Sequence, residues 1–249
     1  MRFARTLFLP AVALATLTTL LGCTFARSDP VPTSLATPGA NNALLHSYLP
    51  VAAGNTWVYA VTTPLGSLTQ TETMSTVAAD GDTLKVTMTR TFDYTGEWRE
   101  DDSDSVEYVF HPDGSVSVPH DSEPDWSTTV TSGDIRWPSS TDLWTGEEVT
   151  GVAEVTMTNG RSEFDARVQY TFAGAGEEEV SVPFGTVTAR KLTFWRWLYG
   201  PTIDSIPIHG ASWFAQGIGL VRTEWSVADP DVGPSQPAYV WQLLRFNPA

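Results

Sequence analysis

From Tyr48 to the C-terminus, apolar and polar residues alternate with the two-residue period of a β-strand, and this limits the possible folds more than any other feature. In "NTWVYAVTT", Trp57, Tyr59 and Val61 share one face, while Thr56, Val58 and Ala60 share the other. "DTLKVTMTRTF" sets Leu84, Val86 and Met88 opposite Lys85, Thr87 and Thr89, and "ADGD" forms a turn between it and "TQTETMSTVA". Val106, Tyr108 and Phe110 lead into Pro112-Asp113-Gly114, and Val116 and Val118 lead out, which predicts a tight hairpin. A longer hairpin is expected around Asn159-Gly160, the pair favoured by a two-residue type I′ turn because both residues accept positive φ. "EEEVSVPFGTVTARKLTFWRW", "ASWFAQGIGLVRTEWSV" and "PAYVWQLLRF" continue the pattern. About ten to twelve strands result. They imply one all-β domain over residues 46–249, an antiparallel meander closed as a curled sheet, a sandwich or a barrel. The absence of a fixed-period repeat argues against a propeller.

The N-terminus reads differently. Arg2 and Arg5 precede an uncharged, mostly apolar run from Leu7 to Leu21, too short for a comfortable membrane span but suited to a signal peptide. The chain's one cysteine follows directly, at Cys23. Leu20-Leu21-Gly22-Cys23 resembles the bacterial lipobox, in which the peptide is cut before an acylated cysteine. That resemblance implies a signal peptide over 1–22 and lipidation at Cys23. A thioether would also remove the unpaired thiol that is unusual in an exported protein. Thr24 lacks the aspartate that holds many such proteins at the inner membrane, so the outer membrane or cell surface is the expected site. The segment 23–45, rich in Pro, Ser, Thr, Gly and Asn, is expected to be a flexible tether.

The formal charge is −15, or −17 once Arg2 and Arg5 leave with the signal peptide. Such a body argues against nucleic acid, which needs a basic face, and against adsorption of the folded domain to anionic lipid. The expected contact with a membrane is through the lipid alone.

Three stretches resemble a loosely defined group of uncharacterised bacterial exported proteins and lipoproteins: "YLPVAAGNTWVY" (Tyr48–Tyr59), "VPFGTVTARKLTF" (Val182–Phe194) and "WFAQGIGLVRTEW" (Trp213–Trp225). The resemblance implies a twisted antiparallel β architecture and no established chemistry. Each stretch also reads as structure. Gly54-Asn55 would turn into the first strand, Pro183 and Gly185 would bracket a hairpin turn, and Gly217 and Gly219 would allow a bulge or close crossing. No helix follows that glycine pair, which excludes a dinucleotide loop.

No catalytic or metal motif stands out. His46, His111, His120 and His209 form no metal-binding spacing, although His111 and His120 flank one hairpin and could meet across it. "EDDSDS" (100–105) and "DPDVG" (229–233) read as acidic loops with calcium as the minority alternative, and "GEEE" (176–179) as a solvated turn. A G-x-S-x-G elbow is absent, so the sequence assigns no catalytic residue, metal or cofactor. Among ten tryptophans, Trp98, Trp126, Trp137 and Trp144 lie in a polar middle segment and are the candidates for a glycan, peptide or apolar-ligand site. Trp195 and Trp197 share one strand face, with Arg196 pointing away. The leading expectation is a non-catalytic, lipid-anchored envelope domain that binds a ligand or an envelope protein. An extracytoplasmic hydrolase acting on glycan or ester and a structural envelope component are the alternatives.

Overall fold

The structure, a computed structural model, describes residues 48–64, 66–94, 102–122, 127–137, 139, 146–159, 161–201, 203–227 and 238–249. Thirteen strands follow one another: β1 (Thr56–Thr63), β2 (Gly66–Asp80), β3 (Thr83–Tyr94), β4 (Asp102–Phe110), β5 (Val116–Ser122), β6 (Ser127–Gly133), β7 (Arg136–Trp137), β8 (Glu148–Thr158), β9 (Glu163–Val182), β10 (Gly185–Gly200), β11 (Ile203–Ala215), β12 (Gly219–Val227) and β13 (Tyr239–Asn247). Every pairing is antiparallel, most join sequence neighbours, and β1 pairs with β13. β4 pairs with β5, and β5 in turn with β6, so twelve strands close into a barrel with the short β7 added beside β5. Closure leaves no row of unpaired edge groups around the ring. Of the three architectures the alternation allowed, the barrel is the one formed.

The alternation decides which side chains face inward. Trp57, Tyr59 and Val61 of β1, Val86 and Met88 of β3, and Val106, Tyr108 and Phe110 of β4 are all buried. They pack with Phe172, Phe194, Trp225, Trp241, Leu243 and Phe246 from the other walls. Outward positions are polar: Glu163, Arg167 and Gln169 of β9 are exposed. A barrel spanning a membrane has the reverse arrangement, an apolar outer band around a polar lumen. This barrel turns water-compatible side chains outward.

The expected turns form where glycine or aspartate permits them. Gly81 sits at φ +60 between Asp80 and Thr83, which pair across the β2–β3 hairpin. Asp113 Oδ1 accepts from Ser115 N in the β4–β5 turn, where Gly114 adopts φ +86. Asn55 Nδ2 donates to Pro50 O, and Asn55 Oδ1 accepts from Ala249 N at 2.9 Å, so one side chain fastens both ends of the described body.

Three local expectations are corrected. The β8–β9 hairpin forms beyond the paired Thr158 and Glu163, but Asn159 N donates to Ser162 O, so Asn159 flanks the turn and does not hold its first central position. Asn159 Oδ1 accepts from Arg161 N and Ser162 N, an Asx-type closure of the same turn. "GEEE" is no turn but part of β9, whose 20 residues run on to Val182. Gly217 lies in the β11–β12 turn, where Ile218 N donates to Ala215 O, and Gly219 opens β12 opposite Ala215. The adjacent bulge lies between Trp213 and Phe214.

Candidate functional site

Strand β10 inverts the usual order of hydrophobicity. Arg196 points into the barrel and is almost fully buried, while Trp195 on the outer wall is 43% exposed. Asp121 and Tyr108 favour the charge of Arg196 there. Arg196 lies over the rings of Phe194 and Phe172, 5.1 and 5.7 Å from their centroids. Burial lowers its pKa to about 10, against the pull of Asp121 and Tyr108, so the guanidinium stays charged near neutrality. On the opposite wall, Arg90 Nε donates to Asp104 Oδ1 at 2.5 Å. One Nη of Arg90 donates to Asp121 Oδ1 and to Ser122 O. Burial works against the charge of Arg90, but Asp121, Asp104 and Tyr108 outweigh it and raise the pKa well above the usual range. Trp241 Nε1 donates to Gln70 Oε1, and Gln70 Nε2 donates to Glu72 Oε1. Buried polar groups are tolerated where they find partners, as Arg90, Gln70 and Trp241 do here.

The wall outside Arg196 carries two uncharged rows. One runs Val152–Gln169–Trp197–Pro207 across β8 to β11. The next runs Thr150–Thr171–Trp195–His209–Ser226 across β8 to β12. Charged rows bound them, with Glu154 and Arg167 on one side and Glu148 and Glu224 on the other. The ring centroids of Trp195 and Trp197 are 5.7 Å apart with planes 18° apart. Those of Trp195 and His209 are 4.7 Å apart at 22°. Among the described residues, only Val152, Trp195 and Leu244 are exposed large hydrophobics, and the first two stand in these rows.

A second cluster surrounds the β4–β5 turn. His111 Nε2 lies 2.6 Å from Ser117 Oγ, and Ser117 Oγ donates to Asp134 Oδ2 at 2.7 Å. Arg136 Nε donates to Ser115 Oγ, and Arg136 Nη2 to Asp113 Oδ2. These residue types match a hydrolytic triad, but the order does not. A carboxylate oxygen only accepts, so the Ser117 proton lies towards Asp134 and His111 must donate to Ser117. A nucleophilic serine gives its proton to the histidine, with the aspartate behind that histidine. Burial, helped by Arg136 and opposed by Asp134 and Asp113, lowers the pKa of His111. His120 contacts Thr129 on the exposed wall, so the two histidines do not meet. Among the described residues, no group of His, Cys, Asp or Glu is arranged to hold a metal.

A cleft of about 330 Å³ opens beside the β9–β10 hairpin, lined by Tyr48, Glu177, Glu179, Thr188, Gln216 and Ile218. Phe184 N, at the hairpin tip, donates to Leu243 O of β13 and draws the tip across to that strand.

The sequence candidates fare unevenly. Trp137 is a core residue of β7, 6.0 Å edge-on from Phe214 and 6.3 Å from Phe172, so it is not displayed to solvent. Trp98, Trp126, Trp144 and Cys23 fall outside the described residues, as do "DPDVG" and the start of "EDDSDS". Asp104 is a strand residue paired with Arg90 and not a loop ligand for calcium. The interior charges were missed, yet their signal was present: Arg90 keeps the parity of Val86 and Met88, and Gln70 and Glu72 keep that of Leu68 and Met74.

No family model matches this chain, and no curated protein matches it. Two crystal structures share its fold. One, from Parabacteroides distasonis, is provisionally described as a lipoprotein; it is 14% identical, has a TM-score of 0.57, and the match covers 81% of this chain and 98% of that one. The other, from Bacteroides fragilis, is provisionally described as an exported protein with a YmcC-like fold. It is 16% identical with a TM-score of 0.54, and the match covers 81% of this chain and 99% of that one.

Proposed function

We propose that this chain is a lipid-anchored protein of the bacterial cell envelope whose barrel binds a ligand or partner without catalysing a reaction. The observation that carries the binding role is the outward display of Trp195 and Trp197 on an uncharged strip of an otherwise acidic protein. Exposed aromatic surface on a polar wall marks an interaction site. The lipobox resemblance at Leu20-Leu21-Gly22-Cys23 supports anchoring, and the descriptions of the two proteins of like fold support export. In this reading Cys23 carries the acyl chains, residues 24–45 form the tether, and the barrel stands at the outer membrane or cell surface. Metabolic labelling with a fatty acid tests the anchor: the wild-type chain takes label and Cys23→Ala does not. Equal labelling of both, or labelling of neither, refutes it.

The hydrolase alternative rests on the His111–Ser117 contact. A fluorophosphonate probe checks it: labelling lost in Ser117→Ala would establish a nucleophile there, whereas the hydrogen-bond order predicts no labelling.

A further inference from the structure

We infer that the strip on the β8–β12 wall is a binding site for a neutral glycan, an inference that rests on the binding role proposed above. The ring geometry is the first reason. His209, Trp195 and Trp197 form a near-parallel stack in which Trp195 keeps 43% of its surface open to solvent. The face of an aromatic ring is electron-rich, and the C–H face of a pyranose is apolar and weakly positive, so the two stack.

Gln169, Thr171 and Thr150 flank the rings, and all three belong to the outward faces of their strands. An amide and hydroxyls both donate and accept, as the ring hydroxyls of a sugar require. Neither central row contains a carboxylate, a lysine or an arginine, whereas the chain as a whole carries −15. An uncharged polymer meets no charge to desolvate there, and a polyanion is repelled by the surrounding body.

The size of the strip favours a chain over a folded partner. Ser226 is buried, and the other eight positions of the two rows, each taking about 4.8 by 6.7 Å of sheet, give roughly 260 Å². A stable protein interface takes about 800 Å² from each side. The strip suits a few sugar units laid across the strands, not a second copy of the barrel.

The test is native affinity electrophoresis of the full-length lipidated protein in non-ionic detergent. The gels contain a soluble cellulose derivative, a mannan, a soluble starch or alginate. At least one neutral polymer should retard the protein, and alginate should not. Trp195→Ala with Trp197→Ala should weaken retardation about tenfold or more, with an unchanged urea midpoint for the more exposed Trp195→Ala alone. Absence of retardation in every neutral gel, full retardation of the double variant, or stronger retardation by alginate would overturn the glycan assignment. A photo-crosslinker at Gln169 in cells separates the two claims. Crosslinking to an envelope protein without glycan retardation overturns the glycan assignment and keeps the binding role; absence of both overturns both.

Discussion

Arg90→Met should be among the most damaging single substitutions in the barrel. The Arg90 guanidinium is fully buried, and it holds two carboxylates, Asp104 and Asp121, that are only 1% and 4% exposed. Methionine preserves much of the aliphatic stem but leaves both carboxylates without their cation. Removing one partner of a buried ion pair costs about 3–5 kcal/mol. With two carboxylates sharing one arginine, we expect the upper part of that range, about 4–5 kcal/mol, and a fall in Tm of roughly 10–15 °C for a body of this size. The cost should come from stranded charge and not from lost packing. The triple variant Arg90→Met, Asp104→Asn, Asp121→Asn should therefore recover to within about 2 kcal/mol of wild type, a large non-additive coupling. Equilibrium urea unfolding followed by tryptophan fluorescence reads this, since Trp57 and Trp225 are buried reporters. A loss below about 1 kcal/mol for Arg90→Met, or a triple variant no more stable than the single one, would refute the reasoning.

Three further outcomes follow from close contacts. Gly210→Ala would place a Cβ 2.2 Å from Glu224 O and 2.7 Å from Phe194 Cζ, so it should cost about 2 kcal/mol or more in the same unfolding assay. Asn55→Ala removes the fastening of Pro50 and Ala249 and should cost about 1–3 kcal/mol, with faster amide exchange and carboxypeptidase trimming at the C-terminus. His111 has a folded-state pKa below its ordinary 6.5, so the unfolded chain takes up its proton first. Stability should be fully present above that ordinary value and should fall as the pH drops through the folded one. His111→Gln should flatten that part of the profile, measured as urea midpoints between neutral and mildly acidic pH.

The barrel was legible because its core strands obey one rule. Val86 and Met88 alternate with Lys85, Thr87 and Thr89, and Val106 with Ser105 and Glu107; they face inward, as do Trp57, Tyr59, Val61 and Phe110. Closure was not legible, because the sandwich and the barrel use the same local pattern. They differ only in whether β4 meets β5 while β5 also holds β6. The interior ion pairs broke the rule from within. A charged residue at an inward position reads as a surface residue until its partner, fourteen residues away for Arg90 and Asp104, is seen beside it. The tryptophans show the opposite failure. Polar surroundings in sequence singled out Trp137, which the fold buries against Phe172 and Phe214. Trp195 and Trp197 sit in an apolar stretch that resembles core, and the parity that sends Arg196 inward sends them outward. Sharing a face was readable; which face met solvent depended on the whole ring of strands.

That assignment of faces supports both the barrel and its binding strip, because a slip of one residue in β10 would exchange them. Oxidative footprinting of the intact protein, with each tryptophan quantified by mass spectrometry, measures it directly. Trp195 should be modified far faster than Trp57, Trp225 or Trp137, and Arg196 should resist phenylglyoxal until the chain unfolds. A protected Trp195 beside a readily modified Arg196 would contradict the account.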